Sequence, residues 1–215
     1  IFIVSYTMSL KRSIIIIIFI LLIDQISKIY IKTHFALGDE YRVFHWFRVY
    51  FVENDGMAWG TKLSDFTSFF SDRTAKIALT VFRIIAIIGI GFWLFDATRK
   101  KSPKVLLLAI AFIFSGALGN IIDSVFYGVL FNDSHGQIAS FLPIEGGYDG
   151  LLHGRVVDML YFPLWKGYLP EWLPFFGGTY FTFFEPVFNI ADMAISTGFI
   201  MLLLFNKKAF PKKES

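Results

Sequence analysis

The sequence contains no cysteine. That absence excludes disulfide scaffolds, thiolate metal sites, cysteine nucleophiles and any lipid anchor carried on cysteine. Charge is also scarce, since only 17% of the 215 residues are Asp, Glu, Lys or Arg and the formal net charge is +3. Several catalytic signatures are missing. There is no H-E-x-x-H, and His34, His45, His135 and His153 are scattered outside the apolar stretches, so zinc proteolysis lacks its ligands. No G-x-S-x-G and no Gly-rich phosphate loop occurs, and no internal repeat supports an inverted-repeat transporter.

What remains is strongly apolar. Hydrophobic residues make up 55% of the chain, 27 of them Phe, and the mean hydropathy is +0.60. A single soluble core could not hide that much apolar surface, so a membrane protein is expected, and disorder and nucleic-acid binding drop out together. A bilayer core of roughly 30 Å needs about 20 helical residues. Four stretches qualify, at about 13–31, 74–95, 105–131 and 186–205.

Basic residues gather at Lys11 and Arg12, at Arg99 to Lys104, and at Lys207 to Lys213. The positive-inside rule places these ends in the cytoplasm, so both termini lie inside and loops 32–73 and 132–185 face outward. One integral-membrane domain over 8–205 with a basic tail over 206–215 is expected, and Met8 reads as a more natural start than the residues before it. In the first outer loop YRVFHWFRVYFVEN followed by DGMAWG suggests short strands closed by a Gly turn at the membrane surface. In the second, the aromatic run YFPLWKGYLPEWLPFF suits the membrane interface.

Ionisable groups inside a span are functional candidates because each costs on the order of 3 kcal/mol there. Asp24 and Lys28 share a helix face and form either a structural ion pair or a substrate-positioning pair. Arg83, midway along the second span, needs an acid on another helix. Asn120 and Asp123 share a face of the third span beside Gly116 and Gly119, which also read as a packing device. Pro186 suits a first helical turn, placing Asp192 about 9 Å below the outer end with Asn189 on the same face. Asp158 lies among apolar residues in HGRVVDMLYFP. Brought together, Asp158 and Asp192 would share one proton, letting one carboxylate deprotonate water while the other carboxyl protonates a peptide bond. A small transporter or channel with buried acids is the alternative that four charged spans leave open.

DQISK, VENDGMAWG, GALGNIIDS, VVDML and FNIAD occur in that order, and together they resemble the bacterial type II signal peptidases, the lipoprotein signal peptidases, from about Lys11 to Phe205. The resemblance implies a four-helix aspartyl endopeptidase of the inner membrane with a small β-rich outer-face cradle. Such enzymes cut prolipoproteins before a cysteine carrying diacylglycerol. It implies Asp158 and Asp192 as the catalytic dyad, and Asn54 and Gly56 as the turn of a substrate cradle and lid. Asn120, Asp123, Asn189 and Ala191 would bind substrate or orient the dyad, with Asp24 and Lys28 in support. Substrate prolipoproteins, membrane lipids and globomycin-type inhibitors are the implied partners of a monomer that needs no metal or cofactor.

Three positions depart from the family's pattern. Ser124 stands where Arg commonly follows the G-N-x-x-D motif, so Arg83 is expected to replace that charge as partner of Asp123. V-V-D-F is V-V-D-M-L here. The second outer loop is longer than in compact members, and an interfacial anchor, an added substrate contact and simple elaboration all remain open for it.

Overall fold

The computed structural model describes residues 8–55 and 71–211. Gly56 and the rest of the GMAWG segment lie outside the described residues, as do Lys212 and Lys213. Three long helices occupy the first three apolar stretches: α1 Leu10–His34, α2 Asp72–Arg99 and α3 Lys104–Leu130. Each start has a local cause. Ser9 caps α1 by accepting from the Arg12 amide at 3.4 Å, and Ser71 caps α2 by accepting from Thr74 at 3.2 Å. Pro103, with its fixed φ, precedes α3.

Among the described residues, these three helices are long and apolar enough to cross a membrane. Their burial differs. The most apolar window of α3 is 56% buried, against 22% for α1 and 17% for α2, so α3 is the central helix and the others present outer faces such as Phe19, Phe82 and Phe92. Those exposed rings suit a lipid environment and would be an aggregation liability in water.

The fourth apolar stretch is shorter than the sequence reading has it. Its helix, α4 Ile190–Leu204, has 15 residues and is followed by a single turn, α5 Asn206–Ala209. Val187–Phe188 is instead strand β6, pairing with β3 Val156–Tyr161 in the register Leu160↔Phe188. Pro186 therefore precedes a strand, Asn189 is the helix N-cap, and Asp192 sits in the first turn rather than about 9 Å below it. Strand pairing claims two residues that hydropathy alone assigns to the helix.

Contact between α3 and α4 is close because it is glycine-lined. A Cβ on Gly116 would stand 2.1 Å from the Ala191 carbonyl oxygen, and one on Gly119 would stand 2.7 Å from an Asp24 carboxylate oxygen. Small residues here let α4 approach α1 and α3 together.

Beyond the helix ends lies an antiparallel sheet ordered β1-β2-β3-β6, with β1 Glu40–Arg42 and β2 Arg48–Asn54. The first loop thus contains strands as expected. Their hairpin closes within VFHWF, where the Phe44 amide donates to the Phe47 carbonyl at 2.9 Å. The loop after α3 carries a hairpin of its own, β4 Trp165–Tyr168 with β5 Tyr180–Phe183.

Candidate active site

The site forms where α1, α3, the start of α4 and the β2–β3 pair converge. Asp24 and Lys28, one turn apart on α1, are both fully buried and pair at 2.9 Å. Lys28 also pairs with Asp123 at 2.8 Å and donates to the Asn120 side-chain oxygen at 2.9 Å. Asp24 in turn accepts from the Ala191 backbone amide at 2.9 Å, so α1 grips the first turn of α4 directly.

Asn120 passes this order outward. Its amide donates to Asp192 at 2.8 Å, and its oxygen accepts from Asn189 at 3.2 Å. Asn189 and Asp192 form a reciprocal capping box: the Asn189 side chain accepts from the Asp192 amide at 2.9 Å, and Asp192 accepts from the Asn189 amide at 3.2 Å. The Asn189 side-chain nitrogen also donates to Asp158 at 2.7 Å. One asparagine therefore contacts both carboxylates.

Asp158 projects from β3 opposite Val52 of β2 and accepts from Asn54 at 3.3 Å. It is 4% exposed, whereas Asp192 is half-buried. Burial, reinforced by the negative charge of Asp192, pushes the Asp158 carboxyl up to about 7, with Asn54 and Asn189 acting in the opposite direction. Such a carboxyl retains its proton close to neutral pH, as a general acid requires.

The structure corrects the expected partner of Asp123. Its cation is Lys28, and Gln25 donates to it at 2.9 Å, whereas the charge of Arg83 acts on Asp192. Ser124, in place of the family's Arg, bonds back to the Asn120 carbonyl at 2.9 Å. Asp24, Lys28, Asn54, Asn120, Asp123, Asp158, Asn189, Ala191 and Asp192 all join one network, while Gly56 lies outside the described residues.

Two groups of residues were not singled out by the sequence. Gln25 bridges Asp24, Asp123 and the Gly119 carbonyl, and its oxygen accepts from the Tyr127 hydroxyl at 3.2 Å. Its signal was an amide inside an apolar run. A second buried cluster pairs Lys32 with Glu53, with Ser134 2.8 Å from each and Arg155 3.0 Å from Glu53. Tyr148 lies between its cations, 5.1 Å from Lys32 and 4.8 Å from Arg155. Burial opposes the charge on Glu53, but Lys32, Ser134 and Arg155 outweigh it and hold the carboxyl below its ordinary value. The signal was the recurrence of charge at Asp24, Lys28 and Lys32, every fourth residue on one face of α1.

Comparison with known proteins gives a consistent picture. The model of a family described as signal peptidase II matches residues 16–207. A lipoprotein signal peptidase of Porphyromonas gingivalis is 47% identical over 189 residues, covering 87% of this chain and 79% of its own length. One from Amoebophilus asiaticus is 35% identical over 192 residues, covering 87% of this chain and 73% of its own. Among solved structures, a bacterial membrane enzyme determined at 1.9 Å superposes with a TM-score of 0.60 at 24% identity, covering 95% of this chain and 99% of its own.

Proposed function

This chain belongs to the signal peptidase II family, aspartic peptidases of bacterial membranes that remove signal peptides from prolipoproteins, and we propose that Asp158 and Asp192 are its catalytic pair. The observation that carries this reading is Asn189 at the start of α4, whose side-chain nitrogen donates to the Asp158 carboxylate and whose backbone amide donates to the Asp192 carboxylate. The convergence of the buried acids at one end of the helices, around a neutralising Lys28, gives no support to an ion path along the bundle.

In the reaction, Asp192 takes a proton from water as the water oxygen attacks the scissile carbonyl carbon. Asp158 gives its proton to the carbonyl oxygen. Collapse of the tetrahedral intermediate breaks the C–N bond, and the departing nitrogen takes up a proton from the pair. Asn120 aims Asp192, and Asn54 and Asn189 aim Asp158. Lys28, Asp24 and Asp123 hold those asparagines and the Ala191 backbone in place. The positive charge of Arg83 on α2 acts on Asp192. Asn54, at the end of β2, contributes to receiving substrate.

The substrate is a prolipoprotein whose cysteine already carries diacylglycerol. A lipidated cysteine keeps its acyl chains in the bilayer, so its peptide bond is presented only near the surface. A pair at the helix ends, with Asp192 in a first helical turn, suits that delivery. The proposed topology is a four-span monomer, 8–205, with α4 as the short fourth span, both termini cytoplasmic and the pair toward the outer face. Globomycin-type inhibitors compete with substrate at this pair.

The test is conversion of diacylglyceryl-modified prolipoprotein by purified protein, wild type beside Asp158→Asn and Asp192→Asn. Both variants should fold and fail to cleave. Normal cleavage by either removes that residue from the pair.

A further inference from the structure

The chain between β3 and β6 does more than connect them. The β4–β5 register sets Trp165 opposite Phe183 and Gly167 opposite Phe181 on one face, and Lys166 opposite Thr182 and Tyr168 opposite Tyr180 on the other. The first face is wholly apolar. Its Trp165 ring covers Gly167, where an added Cβ would stand 2.9 Å from the indole. Even so, Trp165, Phe181 and Phe183 are 45%, 44% and 54% exposed, and beyond the strands Trp172 and Phe175 are 78% and 98% exposed. A two-stranded hairpin this apolar gains little stability by itself in water.

A second observation places it. Ring contacts run from Phe184 through Phe188, Phe162 and Trp46 to Phe44, at centroid separations of 5.9, 5.6, 6.0 and 5.4 Å. This row joins the end of β5 to the β1–β2 turn, and both of its ends are exposed. The hairpin also grows directly from β3 and β6, and β6 leads into the N-cap of α4. Hairpin and row are therefore joined to the sheet beyond the helix ends, and aromatic rings are favoured where a bilayer's hydrocarbon gives way to headgroups.

We propose that the β4–β5 hairpin and the aromatic row form a blade seated in the headgroup region of the bilayer. Trp165, Phe181 and Phe183 face the acyl chains, and Lys166, Tyr168 and Tyr180 face phosphate and water. The occupant of this surface is the lipid bilayer itself. The blade holds β3 and β6, and with them Asp158 and Asn189, at a fixed depth. This rests on the membrane reading and is independent of the peptidase chemistry.

Because the chain has no cysteine, single cysteines give clean attachment sites. Phe175→Cys and Tyr168→Cys would each carry a nitroxide in full-length protein in phosphatidylethanolamine–phosphatidylglycerol liposomes. Phe82→Cys on α2 serves as the lipid-exposed reference, and thermal melts confirm that each variant folds. Power saturation should show the residue-175 label more accessible to oxygen than to a nickel chelate, shallower than the residue-82 label, with the residue-168 label favouring nickel. Nickel-dominated accessibility at residue 175 overturns the proposal. So does a label there that leaves water only when prolipoprotein is added, which would assign the hairpin to substrate instead.

Discussion

Two buried charge clusters share one face of α1 yet treat the site differently. Asp24 and Lys28 reach across α3 to the first turn of α4, and so to Asp192. Lys32, one turn on, reaches Glu53 and Arg155, and so the ends of β2 and β3 that present Asn54 and Asp158. Each cluster sets its buried charges against opposite ones, Lys28 between Asp24 and Asp123 and Glu53 between Lys32 and Arg155, which is how ionised groups tolerate burial. The first cluster touches a carboxylate of the pair through one asparagine. The second acts only through backbone register, because Glu53 and Asn54 point to opposite faces of β2. A shared helix face thus sets both halves of the site, one by direct contact and one by holding a strand.

The comparison can be broken most forcefully at its meeting point. Asp158→Asn should reduce cleavage on the order of 100- to 10,000-fold, the contribution of a positioned general acid, in a single-turnover assay with folding unchanged. Next in size, Lys28→Met leaves Asp24 and Asp123 buried without their cation. A loss of about 3–5 kcal/mol is expected, read as a lowered melting temperature in detergent together with lost cleavage.

Glu53→Gln should act more gently. It keeps an acceptor for Ser134 but leaves Lys32 and Arg155 without their shared carboxylate, so about 1–3 kcal/mol of stability is expected to go. Cleavage should fall mainly through KM, since β2 carries Asn54, proposed to receive substrate. A Glu53→Gln enzyme with a kcat defect as large as that of Lys28→Met would show that the two clusters are not distinct in role. The smallest effect is expected of Asn54→Ala. Asn54 favours the ionised form of Asp158, so its removal should move the alkaline limb of the cleavage profile to higher pH.

Much of this was legible in the sequence. Long apolar runs place α1, α2 and α3 because a bilayer demands that length, and the intramembrane polar residues point to one network. The fourth helix was overextended because Val187 and Phe188 are as apolar as a span. The N-x-x-D of Asn189 and Asp192, a capping signature, marked its true start. Arg83 was matched to Asp123 because spacing gives no access to which helices touch, and in the fold Lys28 of α1 takes that acid. The Lys32 cluster was missed for a similar reason. Its partners are separated by as many as 102 residues, and only the folded sheet brings them together.

The pH dependence of cleavage tests the shared-proton pair most directly. Asp158 has its carboxyl raised to about 7 by burial and by Asp192, so the proton it is proposed to donate is present below that value and lost above it. Cleavage of a diacylglyceryl-modified prolipoprotein, followed from pH 5 to 9 on stable protein, should fall as pH rises through about 7. A rate that stays level across that range would contradict the assignment of Asp158 as the proton donor.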